Sequence, residues 1–331
     1  MMKRLLLLVA LISSSVWLKS GEANSAAATA KQSRVLYETG FERFEGFDPS
    51  LDLVDAAGRG QNGWTAVGYG GNGILGDALP DFAGQYAYIG FLTSTNGNGF
   101  FNVFRPLRFT PSTNQPPVVV FQVNMSLRDE TPSPERADDF RWSAYTPDDR
   151  RLFTIDFHGA DRTINYALDD ASGFQTTGYE FEYGATYLLE VVMSFGRNRW
   201  SASLNGFTVV AEQPLSTRPG ALALGSLDAV WAARAQGSWD DNYMLFDDYR
   251  ILAYPPSEIA PVLELQTVEP GGTARLVVWG EPGVSYLVQS SNDLVLWTDR
   301  GTVVATRPEG RAEFIDSQPA QARTYRVVSI P

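Results

Sequence analysis

The chain has 331 residues, no cysteine, and 38 acidic against 26 basic side chains, which gives a formal charge of −12 and a pI near 4.6. This acidity argues against nucleic acids and anionic membranes as partners, because binding to them depends on basic side chains that neutralise phosphates. The lack of cysteine excludes disulfides, thiolate metal sites and cysteine nucleophiles. A chain of this length can still bury a core large enough to fold without cross-links.

Residues 1–30 are predicted to be a secretory signal peptide. Met1–Arg4 is basic, Leu5–Leu18 is mostly apolar, and a region of small residues follows. The apolar run is shorter than a comfortable membrane span and has the length of a signal-peptide core. Cleavage is expected after Ala30, with Ala23 as the alternative site, and an uncleaved anchor is the competing interpretation. The mature chain is expected to be secreted, periplasmic or on the cell surface, with no further membrane insertion.

Short apolar or alternating runs, separated by turn residues, predict a long series of β-strands from Leu36 to residue 253. The pattern is clearest in Tyr187–Phe195, where every second residue is apolar. Asn205-Gly206 predicts a type I′ hairpin turn, because both residues accept positive φ. The glycine-rich segment Gly68–Gly73 is expected to be a mobile surface loop. The predicted strands are Ala87–Phe91, Phe100–Phe109, Val118–Leu127, Phe140–Tyr145, Leu152–Phe157, Thr163–Leu168, Tyr187–Phe195, Trp200–Leu204, Phe207–Val210, Leu222–Leu227 and Tyr243–Leu252.

A second domain is predicted at the C-terminal end. The segment 254–261 contains three prolines and favours an extended linker. Residues 262–331 then show another strand series, and Tyr286–Trp297 and Tyr325–Val328 resemble small immunoglobulin-like or fibronectin type III modules. The predicted fold is all-β, with an antiparallel sandwich over 36–253 followed by a second, smaller β-sandwich.

Three motifs of the large domain carry a family resemblance. They are Thr186–Val192, the hairpin Trp200–Gly206 and the closing strand Leu245–Ile251. With them the domain resembles the concanavalin A-like (laminin G-like) jelly-roll superfamily and is similar to secreted proteins of environmental bacteria. The resemblance implies a jelly-roll fold in which the last strand returns beside the first, here Val35–Glu42. It does not imply one activity, since this fold hosts lectins, glycosidases, lyases and adhesion modules.

Catalytic motifs are weak. The Glu-x-Asp-x-x-Glu pattern by which jelly-roll glucanases place two carboxyls beside the glycosidic bond is absent from the sequence. His158 is read as a surface turn histidine, and Glu180 and Glu182 as the solvated edge of a strand. A divergent polysaccharide lyase or glycoside hydrolase stays open as an alternative. Its candidate residues are Asp156, His158, Tyr166, Glu180 and Glu182.

A calcium site is predicted at the junction of the first and last strands. Asp247 and Asp248 lie inside a predicted strand, so one of them must point toward the core, where an unpaired carboxylate is costly. If the first strand is the neighbour, its glutamates face this pair, and several carboxylates together favour Ca²⁺. Arg43 or Arg250 is the competing partner. The predicted metal ligands are Glu38, Glu42, Asp247 and Asp248.

Aromatic side chains in loops are the predicted sugar-binding groups, because the C–H face of a pyranose stacks on an exposed ring. The segment Gly237–Tyr243 stands out, since it combines a tryptophan with acids and an amide. The competing interpretation of Trp239 is a ring folded over the loop to cap the core. The predicted carbohydrate-binding residues are Trp239, Asp241, Asn242, Tyr243, Trp142 and Tyr69.

The sequence therefore favours an exported, non-catalytic glycan-binding or adhesion protein, with Ca²⁺ as its expected cofactor. Two alternatives stay open beside this interpretation. One is the divergent lyase or glycoside hydrolase described above. The other is a structural component of the cell surface or matrix, which needs no binding groove and is expected to self-associate.

Overall fold

The computed structural model describes residues 33–76, 79, 82–91, 99–111, 117–129, 137–233, 242–255, 261–268, 273–306, 310–317 and 324–330, so the predicted signal peptide lies outside the described residues. In these ranges the regular secondary structure is β-strand, apart from short 3₁₀ turns at Arg43–Glu45 and Gln61–Gly63. None of the described helical segments is long and apolar enough to cross a bilayer.

In chain order the strands are β1 (Arg34–Thr39), β2 (Thr65–Val67), β3 (Asn72–Gly76), β4 (Gln85–Gly90), β5 (Phe100–Phe104), β6 (Val118–Asp129), β7 (Asp139–Tyr145), β8 (Arg151–His158), β9 (Thr163–Leu168), β10 (Gln175–Glu180), β11 (Thr186–Ser194), β12 (Arg199–Leu204), β13 (Phe207–Pro214), β14 (Ser226–Ala232), β15 (Asn242–Tyr254), β16 (Val262–Val268), β17 (Ala274–Trp279), β18 (Ser285–Ser291), β19 (Thr298–Val304), β20 (Arg311–Asp316) and β21 (Thr324–Ile330).

The hairpin between β12 and β13 confirms the turn predicted from Asn205-Gly206. Asn205 has φ +49° and Gly206 has φ +81°, the pair of positive values that a type I′ turn requires. The Asn205 side-chain oxygen also accepts a hydrogen bond from the Leu188 N–H at 2.8 Å, which ties the turn to β11. The strong local pattern of β11 to β13 is therefore realised as predicted.

Two antiparallel sheets form the large sandwich. One follows the order β13-β12-β11-β6-β15-β4-β3, with β1 also paired to β15, and the other follows the order β10-β9-β8-β7-β14-β5-β2. Glu38 of β1 stands opposite Arg250 of β15, which confirms that the first and last strands of this domain are neighbours. The long strand β15 thus has β6 on one side and β4 followed by β1 on the other.

The inward faces of both sheets meet in one aromatic-rich core. Trp142 lies at its centre, with its ring 5.2 Å from that of Phe121 and 5.5 Å from that of Phe246. The expectation that Trp142 is a loop aromatic open to sugar is therefore wrong, because it lies in β7 and is 1% exposed. Its alternation with Phe140 and Ala144, both buried, places it on the inward face.

The prediction of a surface loop over Gly68–Gly73 is wrong for its second half. Asn72 is buried and begins β3, and its side-chain oxygen accepts a hydrogen bond from the Val54 N–H at 2.8 Å. Its amide nitrogen donates to the carbonyl of Gly70 at 3.0 Å. These hydrogen bonds replace water for a polar side chain, so a segment with loop composition packs into the sandwich.

The C-terminal strands form two three-stranded sheets, β16-β17-β20 and β19-β18-β21, around a core of their own. The all-β fold, a jelly-roll sandwich followed by a smaller sandwich, is as predicted. The Ser194 hydroxyl at the end of β11 donates to the buried Glu281 carboxylate at 2.7 Å. Burial raises the pKa of Glu281.

Candidate functional site

The outer face of the sheet that contains β7 and β8 carries polar side chains that are joined by hydrogen bonds and ion pairs. Side chains alternate between the two faces of a strand, and the residues that flank the buried Phe140 and Trp142 point outward. Cross-strand pairing then brings Arg141 beside Asp156 and places Asn165 next in the same row. A row of polar side chains therefore crosses the sheet.

Arg141 lies at the centre of this row and is held from several sides. Its Nε donates to Asp156 Oδ1 at 2.6 Å, and its Nη2 lies 3.5 Å from Asp139 Oδ2. The guanidinium carbon is 5.4 Å from the ring centroid of Phe100 and 4.7 Å from that of Phe174. Cation–π contacts of this kind are favourable within about 6 Å. We call Phe100, Arg141 and Phe174 the arginine platform.

The two rings of the platform are exposed, whereas the charged groups beneath them are fixed by ion pairs. Phe100 and Phe174 are 46% and 44% exposed, although each contacts the guanidinium. Asp156 beneath them is buried, and its Oδ2 accepts a further hydrogen bond from Asn165 at 3.4 Å. Burial raises the pKa of Asp156, while the adjacent Arg141 opposes that shift. Ion pairs therefore fix a surface on which two aromatic rings remain open to a ligand.

A second polar cluster extends the same face along β14. The Asp228 carboxylate accepts hydrogen bonds from the Ser226 hydroxyl at 2.5 Å and from the Asn102 amide at 3.3 Å. The hydroxyls of Ser143 and Thr154, which are hydrogen-bonded at 2.8 Å, complete the row beside it. Burial raises the pKa of Asp228 to about 7. These side chains, apart from the half-buried Asn102, are buried, so the cluster satisfies its own hydrogen bonds beneath the surface of the sheet.

The residues of the enzymatic alternative do not form one group. Asp156 and Tyr166 lie on opposite faces of the sheet, since Tyr166 stands opposite the buried Ile155. The Tyr166 hydroxyl donates to Gln175 at 2.9 Å. His158 lies on the outer face, 2.6 Å from the Asp161 carboxylate in the following turn.

Glu180 stands opposite Thr163, which in turn stands opposite His158, so Glu180 lies on the same outer face in the row next to Asp156. Glu182 is exposed and follows the end of β10. Tyr166 is therefore the member of the proposed set that the sheet places on the other face, while Asp156 is already paired with Arg141.

The predicted sugar-binding residues are dispersed. Trp239 and Asp241 lie outside the described residues. Asn242 is buried at the start of β15, and Tyr243 is half-buried, with its ring 5.8 Å from that of Phe91. Tyr69 is half-buried between β2 and β3. The sequence reasoning missed the arginine platform, because nothing local marks Arg141 and Asp156 as neighbours.

The four predicted metal ligands line a single pocket of about 320 Å³, which we call the acidic pocket. It lies where β15 changes partner from β4 to β1, at a β-bulge that gives Asp248 a φ of +49°. Bulges commonly re-aim side chains in this way. The lining residues are Glu38, Thr39, Gly40, Glu42, Phe44, Glu45, Ala83, Asp247, Asp248 and Arg250.

Asp247 is the distinctive residue of the acidic pocket. It is 4% exposed, and the contact found for its carboxylate is the N–H of Asp248 at 2.7 Å. Burial raises its pKa to about 7, and the charges of Asp248, Glu42 and Glu45 act in the same direction. Arg250 contacts Asp248 instead, at 3.7 Å. The buried carboxylate therefore has no basic partner among the described residues.

Glu42 reaches the pocket because of a glycine. Its Oε1 accepts a hydrogen bond from the Gln85 N–H at 3.1 Å, and a Cβ on Gly84 would stand 1.9 Å from the same oxygen. Gly84 also has φ +86°, a conformation that other residues rarely adopt. Within the described ranges, no three acidic or histidine side chains are already close enough to hold a metal ion. An ion at this position would need backbone or water oxygens as additional ligands, or a small movement that brings the carboxylates closer together.

No protein-family model matches this chain, and neither does any curated protein sequence. Among solved structures it is similar to lectin II from Ulex europaeus (7% identity, TM-score 0.42, 59% of this chain and 94% of the lectin). It is also similar to the carbohydrate-binding module CBM66 from Bacillus subtilis (9% identity, TM-score 0.34, 57% and 94%). A sialidase matches at 10% identity and a TM-score of 0.40, over 57% of this chain and only 17% of the sialidase. All three TM-scores lie below 0.5, so the fold assignment rests on the strand order of the chain itself.

Proposed function

We propose that this chain is an exported carbohydrate-binding protein and that the arginine platform is its binding surface. The observation that carries the proposal is a pair of exposed aromatic rings, those of Phe100 and Phe174, which both contact the guanidinium of Arg141. Exposed rings stack on sugar C–H faces, and fixed polar groups between them bind hydroxyls without first losing conformational freedom. The N-terminal pattern of residues 1–30 supports export.

Trp239 and Asp241 are proposed as additional sugar contacts on the basis of the sequence alone, because an indole ring can stack on a pyranose face and a carboxylate can accept hydrogen bonds from its hydroxyls.

Binding is proposed to occur without cleavage. In support, Asp156 is an ion-pair partner of Arg141, and Tyr166 lies on the opposite face of the sheet. A general acid or base must reach the reacting atom within hydrogen-bonding distance. Asp139 and Asp156, the two acids beside the platform, are already paired with Arg141.

The proposal is tested by native gels cast with soluble polysaccharides, run with the full chain in the presence of Ca²⁺. At least one glycan is expected to retard the protein, and Phe174→Ala is expected to weaken its binding at least about tenfold, because one stacking surface is lost. Phe207→Ala is the matched control, since Phe207 is 74% exposed in β13 of the other sheet. Equal loss in both variants, release of sugar products, or no retardation by a broad panel would contradict the proposal.

Calcium is proposed to occupy the acidic pocket and to stabilise the fold. Asp247 and Glu42 are the proposed carboxylate ligands, with Asp248 and Glu38 on the more exposed side. Support comes from the buried, unpaired Asp247, since a buried charge without a partner is costly and a cation removes that cost. Calcium also accepts mixed sets of carboxylate, backbone and water oxygens.

A structural, self-associating role is the second candidate, because the small sandwich presents three adjacent aliphatic side chains. Leu294, Val295 and Leu296 are 60%, 76% and 74% exposed. The Asp293 carboxylate accepts hydrogen bonds from the last two N–H groups, both at 2.9 Å, so the apolar turn is held in shape. Such patches mark association surfaces when they are large enough.

If this turn mediates association, the full chain is expected to elute from a sizing column as a concentration-dependent oligomer. Leu296→Ser should then shift it to the monomer, because a polar side chain would replace apolar contact area. Val67→Ser, at a valine 59% exposed on β2, should leave the elution unchanged. Monomeric elution of the unaltered chain at all concentrations would remove this candidate.

A further inference from the structure

We propose that the arginine platform selects neutral glycans and rejects glycans that carry carboxylate or sulfate groups. This inference rests on the proposed function and names the ligand class of the same surface. It follows from the way in which the charge and the hydrogen-bond donors of Arg141 are already used. An arginine between two exposed aromatic rings would ordinarily suggest the opposite preference, for acidic sugars.

The charge of Arg141 is more than balanced. Asp156 Oδ1 lies 2.6 Å from its Nε, and Asp139 Oδ2 lies 3.5 Å from its Nη2. One cation therefore faces two carboxylates, and the group is net negative even before the other acids of this sheet face are considered. Arg151, which lies at the far end of the face opposite Tyr145, donates to the Leu168 carbonyl at 2.7 Å. An acidic sugar on the platform would meet net repulsion.

The donor geometry of Arg141 leads to the same conclusion. A guanidinium binds a carboxylate or sulfate strongly when two parallel N–H groups on one edge are free. Here Nε belongs to Asp156 and Nη2 faces Asp139, so neither of the two edges has both nitrogens free. The described contacts leave Nη1 to donate, which suits a single sugar hydroxyl. The platform therefore lacks the two free, parallel N–H groups by which a guanidinium binds an acidic sugar.

The exposed rings fit the same ligand class, because phenylalanine rings stack on apolar C–H faces and carry no charge. The polar cluster around Asp228 is buried, and its members Asn102, Ser226 and Asp228 add no positive charge to this face.

The test compares neutral polysaccharides (laminarin, xyloglucan and galactomannan) with polygalacturonate and alginate in native gels of the full chain. Retardation by at least one neutral glycan and by neither acidic one is expected. Asp156→Asn removes one carboxylate charge, keeps an oxygen acceptor for Arg141, and is expected to raise the affinity for polygalacturonate at least about tenfold. Asp299→Asn makes the same change of net charge on the exposed surface of β19 and should have no such effect.

The outcomes separate this inference from the proposed function. Binding of polygalacturonate or alginate in preference to the neutral glycans would overturn the inference and leave the proposed function standing. Binding of none of the glycans would overturn the proposed function. A salt series on the unaltered chain provides a test that does not depend on variant folding: if repulsion is the cause, polygalacturonate binding should increase between low and high ionic strength. A decrease would contradict the charge argument.

Discussion

Replacement of Trp142 by alanine is expected to lower the free energy of unfolding by about 3–5 kcal/mol, as for other large-to-small changes in a packed core. The ring is 1% exposed and packs against Phe121, Phe246 and Tyr249. Its Nε1–H points to the Met125 sulfur at 3.3 Å. The loss arises because no neighbouring side chain can fill the cavity without moving both sheets. Denaturant unfolding followed by fluorescence or circular dichroism measures it.

The control for Trp142 is an aromatic residue of the platform. Phe174→Ala removes a ring that is 44% exposed, so it is expected to change the unfolding free energy by less than about 1 kcal/mol. The two variants thus separate stability from binding: the first loses structure, and the second loses ligand. A Trp142→Ala protein of unchanged stability that no longer binds sugar would restore the sequence prediction that Trp142 is a sugar contact.

Calcium is expected to stabilise the protein most strongly above pH 7. The pKa of Asp247 is raised from its usual value to about 7 in the folded protein, so the folded state binds more protons than the unfolded state between about pH 4 and pH 7. Without calcium, the contribution of Asp247 to the free energy of unfolding is therefore greatest in acid and declines by about 2.5 kcal/mol between pH 5 and pH 8. Calcium at a hundredfold excess over its Kd should add about 3 kcal/mol at pH 8, where the carboxylate is charged.

Thermal melts at pH 5 and pH 8, with calcium or with a chelator, test this expectation. Asp247→Asn should remove both the response to calcium and part of the decline in stability with pH. Asp228→Asn is the matched control, because Asp228 is also buried with a pKa near 7 but does not line the acidic pocket. It should lose part of the pH dependence and keep the full calcium response. Equal melting temperatures with calcium and with chelator at pH 8 would contradict calcium binding.

The sequence predicts those features that depend on local pattern or on one pairing. The turn at Asn205-Gly206 has the expected positive φ angles, because both residues accept the left-handed conformation that a type I′ turn requires. The adjacency of β1 and β15 is as expected and brings Glu38 and Asp247 to one pocket. Whether that pocket binds calcium stays a prediction.

Features that depend on register or on exposure were harder to predict. The prediction of Trp142 as a loop aromatic is wrong, and its alternation with Phe140 and Ala144 indicates the buried strand position that it occupies. The arginine platform depends on the pairing of Arg141 with Asp156 across two strands, and no local signal fixes that register. Phe174 reaches Arg141 from the segment before β10, a contact that only the folded chain defines. Sites that depend on a strand register for which the sequence carries no local signal are therefore the ones that sequence patterns miss.

The position of β15 between β6 and β1 has a consequence for the order in which the chain can fold. Glu38 pairs with Arg250, so β1 has to wait until roughly 200 further residues have been made or have crossed a membrane. Until then its edge groups have no strand to pair with, and the acidic pocket does not exist. Pairing of β15 with β1 is thus expected to be a late and slow step of folding. An ion that binds only the finished pocket would stabilise the paired state and so disfavour the separation of these two strands.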